Sequence, residues 1–159
     1  MTNSDGMRPL HPNQLKLLRV RWAVFALAML AAAALADATV ARESELPFGA
    51  ASGAAAAIGL LLVLVLPGRR YRSWAWRMDE DELRIASGLL VRSDAVVPFG
   101  RVQHIDIVRG PLQRHYGLGS LVLHTAGTRS AAILLPGLEQ SEAERMRDHV
   151  RSKIREDMV

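Results

Sequence analysis

The sequence lacks cysteine, is poor in aromatic residues and contains one long stretch with very little charge. Without cysteine, a fold held by disulfides and a zinc site built from thiolates are both excluded. Aromatic residues make up 5% of the chain, and no interleaving of aromatic and basic residues indicates a nucleic-acid platform, so no nucleic-acid partner is expected. The hydrophobic share is 50%, which is too high for a disordered chain.

The charge-poor stretch covers residues 22–66 and holds only four of the 36 charged side chains of the chain. A helix needs about 20 residues to cross the hydrocarbon layer, with a range of roughly 17–25. Two apolar runs, 22–41 and 48–66, predict two transmembrane helices joined by a short polar loop. The rest is a cytoplasmic N-terminal segment, 1–21, and a region of about 90 residues, 67–159, which is enough for one compact domain.

Basic residues on both sides of the spans predict their orientation. They are Lys16, Arg19, Arg21, Arg69, Arg70 and Arg72. The connecting loop carries one arginine and two glutamates, so the positive-inside rule places both termini in the cytoplasm and the loop outside. This describes a multi-pass membrane protein. One alternative stays open, a signal-peptidase cut after Ala36, because Ala34-Leu35-Ala36 resembles a cleavage motif.

Two features within the spans bear on function. Small residues recur at every fourth position of the second span, at Gly49, Gly53 and Ala57, and such spacing lets another helix approach closely. We expect this face to pack either inside the hairpin or against other spans, including those of a homo-oligomer. Asp37, near the end of the first span, is either an interfacial residue or the intramembrane acid of a transport protein, and its position favours the interface.

Beyond the spans, apolar and polar residues alternate, which predicts short β-strands. Seven strands are expected, at 73–78, 83–85, 89–91, 95–99, 101–108, 120–125 and 130–135, with a helical turn at 112–116. Near the C-terminus, Ala143, Met146, Val150 and Ile154 form an apolar stripe at helical spacing. The pattern therefore predicts a seven-stranded antiparallel β-sandwich or partly open barrel, capped by a C-terminal α-helix.

Several separated motifs in this region resemble one family. They are Gly88-Leu89-Leu90, Val97-Pro98, Arg101-Val102-Gln103, Gly110-Pro111-Leu112, Arg114 with Gly117-Leu118, Thr125-Ala126-Gly127 and Glu142-Ala143-Glu144-Arg145. The stretch resembles the bacterial pleckstrin-homology (PH) domain of YdbS-like membrane proteins. The resemblance implies a PH-like fold behind a two-helix transmembrane hairpin in the bacterial inner membrane, often encoded beside a larger membrane protein with further copies of the domain. It also implies that the chain has no catalytic residues.

The search for reactive groups supports a non-enzymatic protein. His104 and His124 lie on separate predicted strands and can face each other, but no HxH or HxxxH spacing accompanies them. A zinc site needs three or four converging ligands, which the sequence does not offer. The acidic run 79–82 lacks the glycine and closing glutamate of a calcium loop. No catalytic, cofactor-binding or metal-binding residue is therefore expected.

Arginine supplies eighteen of the twenty basic residues and defines the candidate contact sites. Arg69, Arg70 and Arg72 follow the second span, where they set topology or contact anionic lipid. A second group is Arg101, Arg109 and Arg114, near the longest predicted strand. This group either forms an anion-binding or partner surface or pairs with Asp94 and Asp106.

The expected function is that of a membrane-anchored PH-like binding or scaffolding module at the cytoplasmic face. It would act on the lipid bilayer with a membrane-protein partner, such as a larger protein with related PH-like domains. The alternative is an accessory subunit of a transport or envelope-stress system, whose hairpin contacts other spans.

Overall fold

The computed structural model describes residues 6–40, 49–125 and 132–156. The connecting loop predicted at 42–47, and residues 126–131 at the predicted seventh strand and its preceding turn, lie outside these ranges. The chain divides into two compact units: one comprises Leu15–Arg69, and the other comprises Met1–Gln14 together with Arg70–Val159. We call them the hairpin and the sheet domain.

Two helices form the hairpin: α1, Pro12–Val40, and α2, Ala50–Arg72. Both are long and apolar enough to cross a membrane. Their outer surface carries exposed leucines, such as Leu27 and Leu64, which suits a lipid-facing surface. Helix α1 begins ten residues before the predicted span because Pro12 is a favourable first helical residue and the residues after it are good helix formers.

In the described residues, the sheet domain contains seven strands in two antiparallel sheets. The first sheet has the order β1-β2-β3-β4 and consists of Arg8–Pro9, Ala75–Met78, Glu82–Ser87 and Ser93–Pro98. The second sheet has the order β5-β6-β7 and consists of Val102–Val108, Leu118–Thr125 and Ala132–Glu139. A short helix α3, Pro111–His115, joins β5 to β6, and helix α4, Gln140–Glu156, follows β7. The predicted fold class is confirmed.

One predicted strand is wrong, and another takes its place in the count. Residues 89–91 are not a strand, because β3 and β4 pair directly up to Ser87 and Ser93 and leave five residues for the connecting loop. The missing strand is β1, in which Arg8 and Pro9 pair with Trp76 and Ala75. The first strand of the sheet therefore precedes the hairpin in the chain, and the hairpin is inserted between the first and second strands.

This insertion places the domain boundaries differently from the sequence prediction, which made 1–21 a separate segment. The described residues 6–14 belong with the sheet domain. Leu10 is 2% exposed, and its carbonyl oxygen accepts a 2.7 Å hydrogen bond from the Tyr71 hydroxyl. The His11 amide donates to the Gly137 carbonyl at 2.9 Å. These bonds fasten the N-terminal segment to the domain.

The core lies between the two sheets and under α4. Six of its members, all fully buried, are Leu83, Val97, Leu121, Leu123, Leu135 and Leu138. The predicted stripe of α4 is confirmed, since Ala143, Met146 and Val150 are buried in the same cluster and Ile154 packs against it. Burial of each large apolar side chain contributes about 1.5–3 kcal/mol relative to exposure, so this layer accounts for most of the domain's stability.

Candidate membrane surface and binding cleft

The chain leaves and re-enters the sheet domain at one end, which we call the exit end. It consists of residues 10–14, 70–75 and 88–92 together with the segment around α3. Strand register places them together, because Ala75, the first residue of β2, is paired with Ala86 just before the β3–β4 loop. The α3 segment joins them through a 3.1 Å hydrogen bond from the Asn13 side-chain amide to the Tyr116 carbonyl.

The exit end is rich in arginines that form no ion pair with another described residue. Arg70, Arg72 and Arg92 are exposed, and none forms an ion pair with a residue in the described part of the chain. Arg69, the last residue of the hairpin unit, is exposed as well. The lipid contact predicted for Arg69, Arg70 and Arg72 stays a prediction.

The structure separates the second predicted group of arginines. Arg101 precedes β5, whereas Arg109 and Arg114 follow that strand, and seven strand residues span roughly 23 Å. Arg109 and Arg114 therefore belong to the exit end, and Arg101 lies at the opposite end of β5. The pairing with Asp106 is absent from the described residues, because that carboxylate faces two histidines instead.

An exposed loop, Gly88–Arg92, connects β3 and β4 at the place where the sequence predicted a strand over 89–91. Leu89, Leu90 and Val91 are 45%, 96% and 81% exposed. Gly88 turns the chain at φ +131°, and a side chain there would overlap the Val91 carbonyl, so the loop requires glycine. A shallow cavity of about 350 Å³ lies between this loop and the segment that includes Trp74.

A larger cleft of about 870 Å³ opens between the β1–β2 edge and α4. Its walls include Arg8, Trp76, Met78, Glu142, Arg145 and Met146. It combines an aromatic ring and two methionines with charges of both signs. That composition suits recognition of a polypeptide segment, for which apolar anchors and paired charges supply affinity and specificity.

Among the residues of the cleft, Arg8 has two described contacts, whereas the Trp76 N–H and the Arg145 side chain have none. The Arg8 guanidinium carbon lies 5.8 Å from the centre of the Trp76 ring, within cation–π range, and its nitrogen is 4.0 Å from the Glu142 carboxylate. The Trp76 indole N–H is buried and has no acceptor among the described residues. Arg145 is exposed and forms no ion pair within the described ranges. A bound segment with a carboxylate would pair with Arg145, whereas the Trp76 N–H is buried and is not open to the cleft.

The two strand histidines face each other, as the sequence predicted. His104 and His124 are register partners on β5 and β6, and their ring centres are 5.9 Å apart. Asp106 lies between them, with carboxylate oxygens 2.9 Å from His104 Nε2 and 3.6 Å from His124 Nε2. Within the described ranges, no group of three or more potential ligands is arranged to hold a metal ion.

Inside the hairpin, the close contact is made by residues other than the predicted ones. A methyl group added at Gly59 would lie 3.1 Å from the Ala26 Cβ. Gly53 and Ala57 are exposed, and a methyl group at Gly49 or Gly53 would touch no described residue outside its immediate neighbours. The face of Gly49, Gly53 and Ala57 therefore points away from the contact at Gly59, and its packing against other spans stays a prediction.

Asp37 joins the two helices of the hairpin. Its carboxylate accepts hydrogen bonds from the Ser52 amide at 2.8 Å, the Ser52 hydroxyl at 2.5 Å and the Ala51 amide at 3.2 Å. These amides belong to the first turn of α2, which has no intrahelical acceptors for its N–H groups. Asp37 on α1 thus caps α2, and both its oxygens are engaged.

The two glycines of α2 allow a matched test of the hairpin contact. Gly59→Leu is expected to force the helices apart and to cost about 1–3 kcal/mol, whereas Gly53→Leu should leave the hairpin closed. Purified protein is titrated with SDS, and circular dichroism is recorded at each step. The SDS fraction at which each variant opens measures this difference. Equal effects of the two substitutions would contradict the contact. A lower molecular mass for Gly53→Leu by light scattering would assign the outer face to oligomer formation.

These observations define a class: a PH-like protein whose two candidate transmembrane helices are inserted between the first and second strands of its sheet domain. The family model for the bacterial PH domain matches residues 18–154, and the chain belongs to that family. The match begins after β1, so the first strand lies outside it.

Two curated relatives are transmembrane proteins of Bacillus subtilis (strain 168). The chain is 37% identical over 103 residues to transmembrane protein YdbS. This match covers 62% of the chain and 63% of that relative. It is 29% identical over 102 residues to transmembrane protein YdbT. That match covers 62% of the chain and 21% of the relative. The match thus spans less than two thirds of either relative. No solved structure matches. The family resemblance and the membrane association are confirmed.

Proposed function

We propose that this protein is a non-enzymatic, membrane-anchored module that binds a segment of a membrane-protein partner in the cleft between the β1–β2 edge and α4. The observation that carries the proposal is the cleft itself, which is open and amphipathic and is lined by Arg145, an exposed cation with no ion pair in the described ranges. A larger membrane protein with related PH-like domains is the partner that we favour. The second relative fits this description in size, since the match covers 21% of it.

The proposal includes a topology, in which the hairpin crosses the inner membrane twice and both termini are cytoplasmic. Pairing of Arg8 with Trp76 supports it, because two residues in one sheet must lie on the same side of the membrane. The basic residues around the span ends support the cytoplasmic side. Anchoring the domain raises its effective concentration near other membrane proteins, so a modest affinity in the cleft is sufficient.

A pair of arginines on α4 provides the test. Arg145 lines the cleft, and Arg151 is exposed on the same helix outside the cleft lining. Tagged full-length protein is purified in mild detergent from cells that express it at natural levels, and co-purifying proteins are quantified by mass spectrometry. We expect Arg145→Glu to lose a membrane-protein partner that wild type and Arg151→Glu both retain. Recovery of the wild-type protein alone would overturn the proposal.

The alternative is an accessory subunit whose hairpin contacts the spans of a transport or envelope-stress system. The outward position of Gly53 and Ala57 favours it, because small residues on a lipid-facing surface allow another helix to approach. In the same purification, loss of a partner from Gly53→Leu but not from Arg145→Glu would support this alternative.

A further inference from the structure

The β3–β4 loop presents three consecutive apolar side chains to solvent at a place where a polar turn would suffice. Leu90 is 96% exposed and Val91 is 81% exposed, and Leu89 beside them is 45% exposed. Strand β3 pairs with β4 as far as Ser87 before the loop and Ser93 after it. The apolar side chains therefore extend from the end of a regularly paired strand pair. A contiguous apolar patch with a basic rim indicates an interaction surface.

The position of the loop indicates which surface it contacts. The cavity beneath it is shared with Arg72, Ser73 and Trp74, which directly follow α2. Leu66, the end of the apolar run, precedes Arg72 by six helical residues, or about 9 Å along the helix axis. That distance is comparable to the headgroup layer on one side of a bilayer, which is roughly 5–8 Å thick.

The charges beside the loop favour anionic lipid. Arg72 and Arg92 both line the cavity, and neither forms an ion pair with a residue of the described ranges. Trp74, partly exposed between them, is of the type that prefers the membrane interface. An apolar tip flanked by arginines and a tryptophan matches the layered chemistry of an interface, with acyl chains beneath phosphates.

We propose that the loop Gly88–Arg92 inserts Leu89, Leu90 and Val91 into the interfacial layer of the membrane that the hairpin crosses, with preference for anionic lipid. The loop is then a second attachment point, which fixes the rotation of the sheet domain at the membrane surface. It recognises the surface as a whole and needs no pocket for a single headgroup. The inference rests on the proposed anchoring but not on the proposed partner.

The absence of cysteine makes a site-specific test direct. Single cysteines replace Leu90, Val96 or Leu64 in the full-length protein, each carries an environment-sensitive fluorophore, and the protein is reconstituted into vesicles of phosphatidylcholine and phosphatidylglycerol. Nitroxide groups on the acyl chains quench fluorophores that enter the bilayer. Val96 is 51% exposed on β4 and is the control for a solvent-facing apolar position, and Leu64 on α2 is the control for the spans.

We expect quenching at positions 90 and 64 and none at position 96. Quenching at 64 but not at 90 would overturn the loop proposal alone, and the absence of quenching at both would remove the anchoring as well. Fluorescence at position 90 that shifts with protein-to-lipid ratio, without nitroxide quenching, would assign the loop to a second copy of the chain and also overturn the proposal.

A charge reversal tests the lipid preference. Arg92→Glu should lower the ratio of inserted to free loop about tenfold in vesicles with phosphatidylglycerol and leave it unchanged in phosphatidylcholine alone. Arg101→Glu makes the same charge change at the opposite end of β5 and should have no effect. Equal responses of the two variants would contradict the role of Arg92.

Discussion

Replacing Leu10 with alanine should destabilise the sheet domain by about 2–5 kcal/mol, although the sequence places this residue in a short segment before the spans. Leu10 is 2% exposed and belongs to the same buried cluster as Trp76, Val97 and Leu138. Its removal leaves a cavity that the surrounding strands cannot fill. Domains are typically stable by only about 5–15 kcal/mol, so this loss is large.

Leu90→Ala is the matched control for this substitution. The residue change is the same, but Leu90 is 96% exposed, so its effect on unfolding should stay within about 0.5 kcal/mol. Denaturant unfolding of the full chain in mild detergent, followed by tryptophan fluorescence, gives both values, because Trp76 lies in the core. Equal midpoints for the two variants would mean that the N-terminal segment is not part of the domain.

Replacing Asp37 with alanine should open the hairpin. The substitution removes the acceptor of three hydrogen bonds at the start of α2. Loss of a helix cap costs about 0.5–2 kcal/mol, and a negative charge at a helix N-terminus adds about 0.3–1 kcal/mol, so the ratio of closed to open hairpin should fall about tenfold. Asp37→Asn keeps an acceptor oxygen and should have the smaller effect.

The stability of the closed hairpin is measured by SDS titration, as for the glycine variants of α2. The SDS fraction at which the hairpin opens is compared with and without Asp37→Ala. Thr39→Ala is the control, since the Thr39 hydroxyl donates to the Leu35 and Ala36 carbonyls of its own helix. An unchanged SDS fraction in Asp37→Ala would show that the cap does not hold the hairpin.

The elements that could be predicted from sequence have a long periodic signal. The apolar runs of the spans, the stripe of α4 and the alternation in β5 each extend over enough residues to fix their type. The strand β1 has two residues, one of them proline, so no periodicity can reveal it. The loop 89–91 misled the prediction because three apolar residues after Ser-Gly have the composition of a strand, and only the register of β3 with β4 shows otherwise.

The candidate sites could be predicted from the sequence less completely than the fold. The cleft is assembled from three segments that are distant in the chain, at Arg8, at 76–80 and in α4, and no local motif joins them. Arg101 and Arg109 are close in sequence, yet an extended strand separates them by its full length. In the hairpin, the spacing of small residues identified a smooth face, but the contact falls on Gly59, because rotation about the helix axis is set by the partner helix.

In the proposed topology, the insertion of the hairpin between β1 and β2 couples the folding of the domain to membrane insertion. Sixty-eight positions separate Arg8 from its partner Trp76, so the first strand is synthesised long before the sheet that it completes. If only one helix entered the bilayer, the two strands would be on opposite sides of it and could not pair. In the proposed topology, the complete sheet therefore cannot form in a chain in which only one of the two helices has entered the bilayer.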